Sequence, residues 1–100
     1  MTIQLFTNVI TLGNDFIPMA KGVGSTRVMW LTAKARTNGF TIASTSNAVD
    51  GYKIAASGSI DIPVFGGVGN VGTFSLGNLY WANTVVDANA IIELIGMRDI

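Results

Sequence analysis

One hundred residues carry six basic and six acidic side chains, no His and no Cys, which bounds the chain to one domain-sized core held by packing alone. The missing His and Cys remove the commonest general base, the commonest metal ligand and all thiol chemistry, and leave cysteine usage silent on redox compartment. Balanced, scattered charge offers no basic stripe to collect phosphates, so nucleic acid is not an expected partner.

The first residues, Met1-Thr2-Ile3-Gln4-Leu5-Phe6, lack the positive n-region of a signal peptide. No apolar run approaches the ~18–20 residues that span a bilayer as a helix, and a transmembrane barrel needs more chain. A protein soluble when made, with no membrane partner, is the expectation. Charge poverty is the informative feature. Only 12% of residues are charged and 49% are hydrophobic, against roughly 25% charged in an ordinary domain. A small monomer has much surface to cover with polar groups. A shortfall predicts apolar surface that other protein must cover, hence self-association or docking on a larger assembly.

In chain order, Ile3 to Leu12 alternates in part and is rich in β-branched residues, which predicts a strand. Residues 1–16 are read as either an N-terminal arm or an ordinary first strand of a single β domain spanning 1–100. Gly13-Asn14 and Gly22-Val23-Gly24 are turn signals. Thr26 to Arg36 is a longer run whose block Val28-Met29-Trp30-Leu31 puts apolar groups on both faces, as in a central strand or one at a subunit contact. Asn38-Gly39 reads as a type I′ hairpin turn into Phe40-Thr41-Ile42-Ala43. Tyr52-Lys53-Ile54-Ala55 is a short strand expected to partner the next one, Ser59 to Phe65. In that strand Ile60, Ile62 and Val64 share a face, and Pro63 demands an edge or a bulge. Gly72 to Asn83 divides into two short strands at Gly77-Asn78. Asn89 to Met97 fits a strand or a helix capped by Asp87; its β-branched Ile residues and Gly96 favour the strand. Short strands between regular turn signals predict an all-β fold, an antiparallel β-sandwich or jelly-roll-like barrel of about seven to eight strands.

Chemistry-bearing patterns are few. Gly67-Val68-Gly69-Asn70-Val71-Gly72 matches G-x-G-x-x-G, yet a strand and a turn follow where dinucleotide binding needs a helix N-terminus. Asp15, Asp50, Asp61, Asp87, Glu93 and Asp99 are dispersed, and Asn47 with Asp50 makes a poor hard-cation site. Without His, Lys21, Lys34 or Lys53 would have to activate a nucleophile, and no S-x-x-K spacing is present. The chain is therefore read as no enzyme, with no cofactor and no metal. Aromatic residues and Met are the remaining candidates, as anchors of a protein contact: Phe6, Phe16, Met29, Trp30, Tyr80 and Trp81. On a strand Tyr80 and Trp81 point to opposite faces, so at least one faces the core.

Several of these pieces occur together in one group of proteins. Val28-Met29-Trp30-Leu31, the Asn38-Gly39 turn, Gly51-Tyr52-Lys53-Ile54-Ala55-Ala56-Ser57-Gly58-Ser59-Ile60, Leu76-Gly77-Asn78-Leu79-Tyr80-Trp81 and Ala90-Ile91-Ile92-Glu93-Leu94-Ile95 resemble, in order, small β-sandwich decoration (cement) proteins and related short head proteins of tailed bacteriophages. The likeness covers about three quarters of the chain. It departs at Ala56-Ser57, where Pro-Gly is usual, and in the added Gly-rich loop from Gly66 to Gly72; each motif encodes turn and strand geometry rather than chemistry. The resemblance implies a structural protein made in the host cytoplasm and carried on the capsid surface of the virion. It implies a homo-oligomer, usually a trimer, that binds major capsid protein and holds neighbouring capsomers together. The alternative is a receptor- or glycan-binding knob of a head or tail fibre, with Trp81 or Tyr52 exposed beside polar loop residues.

Overall fold

The computed structural model describes residues 2–46, 51–62 and 74–99. Within them the chain is an all-β sandwich whose nine strands form two antiparallel sheets around one apolar core. In chain order the elements are β1 (Ile3–Leu12), β2 (Ile17–Pro18), α1 (Met19–Val23), β3 (Arg27–Thr37), β4 (Phe40–Ala43), β5 (Tyr52–Ile54), β6 (Ser59–Ile62), β7 (Phe74–Ser75), β8 (Tyr80–Asn83) and β9 (Ala90–Asp99).

The larger sheet runs β1-β9-β3-β6, with β7 also on β3. β9 is its axis, paired with β1 over ten consecutive residues from Ile3↔Asp99 to Leu12↔Ala90. The β-branched character of residues 89–97 thus wins over their helical stripe, because β9 needs side chains on both faces of a sheet. Alternation then sorts them: Ala90, Ile92 and Leu94 are buried, and Ile95 is exposed. The smaller sheet runs β2-β8-β4-β5. Its central strand β4 is buried at all four residues, which is the pattern of a strand covered on both faces. Trp81 and Phe40 meet edge to face in the core, ring centroids 6.3 Å apart.

Two expectations need correction. Asn38-Gly39 does not close a hairpin, since β3 and β4 lie in different sheets. Asn38 takes the positive φ of 55° that the turn signal promised, but the chain uses that corner to cross the sandwich. Tyr52–Ile54 pairs with β4, not with β6; β6 pairs with β3. A short connection does not oblige consecutive strands to pair when the intervening turn changes sheet. The all-β expectation of about seven to eight strands holds, with β2 the addition, a two-residue pairing too short to leave a periodic signal.

The single helical turn α1 was not anticipated either. Five residues are too few for a 3.6-residue period to be read. It follows Pro18, buries Met19 and Val23 one turn apart, and stops at Gly24, whose φ is 79° and whose N–H donates to the Ala20 carbonyl at 2.9 Å. Only glycine takes that conformation without strain. β6 is an edge strand with Ile62 buried and Ser59 and Asp61 exposed, as its alternation predicts. Pro63, Val64 and the Gly-rich loop, like Asn47 and Asp50, lie outside the described residues.

Candidate functional site

The side chains that leave the core from β1, β9 and β3 form the outer face of the larger sheet. Register places them in rows. Leu5 lies across from Met97, and Met97 from Trp30; Thr7 lies across from Ile95, and Ile95 from Thr32; Val9 lies across from Glu93, and Glu93 from Lys34. Leu5 is 63% exposed, Val9 51%, Ile95 43% and Trp30 37%. Neighbouring strands of a sheet are about 4.8 Å apart, so these groups form one contiguous apolar surface rather than scattered residues. An open groove of about 450 Å³ crosses it, with Thr7 and Val9, Thr32 and Lys34, and Glu93 and Ile95 on its walls.

Irregularities in β3 shape this face. Val28 pairs with Arg98 and Trp30 with Met97, so Met29 is an extra residue on β3. A bulge of this kind shifts the inside–outside alternation by one. Met29 and Trp30 consequently both leave the core, two consecutive exposed positions in an otherwise alternating strand. A second shift between Ala35 and Thr37 does the same for Arg36 and Thr37.

Polar groups share the face with these aliphatic ones: Thr7, Thr32, Glu93 and Lys34 stand in the same rows. Arg36 Nη2 meets Glu93 Oε2 at 3.3 Å with both side chains about half exposed, a pair worth at most ~1 kcal/mol. Thr32 Oγ1 donates to Asp61 Oδ1 at 2.6 Å. Among the described residues no three His, Cys, Asp or Glu side chains converge as metal ligands, and no helix is long and apolar enough to cross a membrane. The arrangement supports contact by burial. Covering each half-exposed aliphatic group contributes on the order of 1 kcal/mol at ~25 cal/mol per Å².

The six aromatic and Met candidates are split by the structure. Met29 and Trp30 lie on the outer face. Phe16 and Tyr80 are half-buried, Tyr80 across from Pro18 and Ala43 on the other sheet. Phe6 and Trp81 belong to the core, with Trp81 wholly buried and Phe6 covered by Arg98, whose guanidinium carbon stands 4.9 Å from the ring centre. Those two are corrected from contact residues to packing residues. Leu5, Val9 and Ile95 were missed. Both faces of β1 are apolar in sequence, so alternation alone did not say whether Leu5 or Phe6 faces out. Val85 and Val86 are also exposed, in the loop joining β8 to β9.

No protein-family model, curated protein or solved structure matches the chain.

Proposed function

We propose that the chain is a non-catalytic structural module that binds the outside of a tailed-phage capsid and stabilises contacts between capsomers. The observation that carries this reading is the apolar outer face of the larger sheet, with Leu5, Val9, Ile95 and Trp30 contiguous and exposed. Apolar surface of this kind on a small domain marks a protein contact. The resemblance in the sequence supplies the kind of partner: major capsid protein, and further copies of the chain in a homo-oligomer that such proteins usually form as a trimer. Function then consists of binding. In this reading the sandwich presents the outer face to one neighbour and the exposed Val85-Val86 loop to another.

Co-sedimentation with capsids from the source particle tests this. Saturable binding at a fixed ratio to major capsid protein, together with a higher capsid rupture temperature, is the expected result. Absence of binding at micromolar concentration counts against it.

A second reading, a glycan-binding knob, rests on Tyr52. It is 67% exposed on the edge strand β5, with exposed Lys53 beside it. Trp81, the other aromatic considered for that role, is in the core. Glycan-array binding that Tyr52→Ala abolishes would favour the knob.

A further inference from the structure

We infer that two copies of this chain join through β1, edge to edge and antiparallel, so that their larger sheets become one continuous sheet across a twofold axis at Thr7. The inference rests on the reading that the chain acts by association, and names the surface and the partner.

The edges of the two sheets differ in kind. A sheet edge presents unpaired backbone N–H and C=O groups, and soluble proteins blunt such edges by shortness, charge, proline or a bulge. β2 has two residues, one of them Pro18; β5 has three, one of them Lys53; β6 has four, one of them Asp61; β7 has two. β1 has none of these four protections; its one cover among the described residues is α1, which rests beside Ile10 and whose Gly22 carbonyl accepts from Asn8 Nδ2 at 3.0 Å. β1 runs ten residues, Ile3–Leu12, without a charged residue or proline. Its register with β9 is unbroken by any bulge, and β9 is its one strand neighbour among the described residues. Four edges are thus blunted by shortness, charge or proline, and the longest edge, β1, is not.

The side chains of β1 are also self-complementary. Antiparallel pairing about Thr7 sets Thr7 against Thr7 and Leu5 against Val9 of the second copy, twice by symmetry, with Ile3 against Thr11. All of these lie on the outer face, where Leu5 and Val9 are exposed. Cross-strand aliphatic pairs of this kind are the unit of sheet stabilisation, and no like charges meet along the seam. The Val9 N–H now donates to Asn8 Oδ1 at 2.9 Å. That bond within the edge is the one a partner strand would replace.

Area sets the strength. A ten-residue strand is roughly 34 Å long and a sheet layer roughly 10 Å thick, so the seam covers on the order of 700 Å² in total. Stable complexes bury about 1,200 Å² or more. The contact is therefore weak in solution and forms where copies are concentrated, as on a shell. A twofold contact is used up in pairs, so it gives dimers, or links between trimers where a threefold contact exists as well.

Engineered cysteines test it cleanly because the chain has none of its own. Paired residues on antiparallel strands have Cα atoms about 4.5–5.5 Å apart, within disulfide range. Thr7→Cys is expected to give a covalent dimer under mild oxidation at high protein concentration, while Lys53→Cys, exposed on the opposite sheet, gives at least tenfold less. Sedimentation of the wild type is expected to rise with concentration toward twice the 10.5 kDa of one chain. Val9→Lys, which charges the edge at an exposed position, should hold that mass at the monomer value. Equal crosslinking of both cysteine variants, or concentration-dependent dimers undiminished by Val9→Lys, overturns the inference, as does a wild type that stays monomeric while Thr7→Cys fails to crosslink. Each of these leaves capsid binding to be judged by co-sedimentation. Conversely, failure to bind capsids removes the shell reading and leaves the β1 seam standing.

Discussion

Gly96 stands directly against the backbone at Trp30: a Cβ on Gly96 would lie 2.5 Å from the Trp30 carbonyl oxygen and 3.0 Å from Leu31 Cα. These are main-chain atoms on the neighbouring central strand, so they cannot swing aside as a side-chain tip does. The close approach coincides with the bulge that turns Met29 and Trp30 outward. Glycine at 96 is therefore part of how the outer face is made. Gly96→Ala is expected to cost at least about 2 kcal/mol by overpacking, and to lower Tm by roughly 10 °C in a domain this size. A thermal melt indistinguishable from wild type would show that β3 and β9 have room that the geometry denies them.

Trp81 offers a contrasting case, in which a buried group is imperfectly satisfied. Its ring is wholly buried, and its Nε1–H has no hydrogen-bond partner among the described residues. An unsatisfied buried donor costs about 1–3 kcal/mol. Trp81→Phe loses ring volume but also removes that donor, so its net cost should stay below about 2 kcal/mol. Trp81→Ala, which removes the ring altogether, should cost about 3–5 kcal/mol. Urea unfolding of the two variants measures the difference. Equal losses would mean that the indole N–H is bonded in solution.

The turn between β1 and β2 is tied to the loop before β9 by one side chain. Asn14 Oδ1 accepts from Asn83 Nδ2 at 2.8 Å and from the Asp87 N–H at 2.8 Å, and its Nδ2 donates to Asp87 Oδ1 at 2.9 Å. Asp87 has a φ of 64°, a conformation that a side chain disfavours and that this clip helps to hold. Asn14→Ala strands the buried Asn83 amide and frees the loop. A loss of about 1–3 kcal/mol is expected, with faster amide exchange at residues 84–88 and unchanged exchange in β9. Unchanged exchange in the loop would remove the clip from the account.

How legible was this in the sequence? Ile3–Leu12, Ser59–Ile62 and the β8 and β9 segments were readable because alternation and β-branched content agree there. The division at Gly77-Asn78 was readable because turn residues interrupt the pattern. What failed was pairing. Asn38-Gly39 looks the same whether the next strand folds back or crosses to the other sheet, because that choice is made by which apolar faces meet. The contact face failed for a related reason. Leu5 and Phe6 are equally apolar neighbours, and only the pairing with β9 decides that Phe6 opposes Gly96 in the core while Leu5 opposes Met97 outside. At Met29 and Trp30 the unbroken apolar run concealed a bulge, which a period of two does not detect.

Separating the outer face from the β1 edge requires a change that spares the strand. Met29→Thr with Ile95→Thr does so, since both residues lie off β1, threonine keeps high strand preference and both sites are exposed. Neither side chain packs into the shared core, so folding stability should change by less than about 1 kcal/mol. Thr7, Val9 and the backbone of the edge are left in place. If the face binds capsid, the double variant should lose affinity by ten-fold or more while Thr7→Cys still crosslinks in its background. The loss follows from two aliphatic groups that no longer contribute on the order of 1 kcal/mol each when covered. Capsid affinity within twofold of wild type would mean that a different surface makes the contact, with the exposed Val85-Val86 loop the next to be changed.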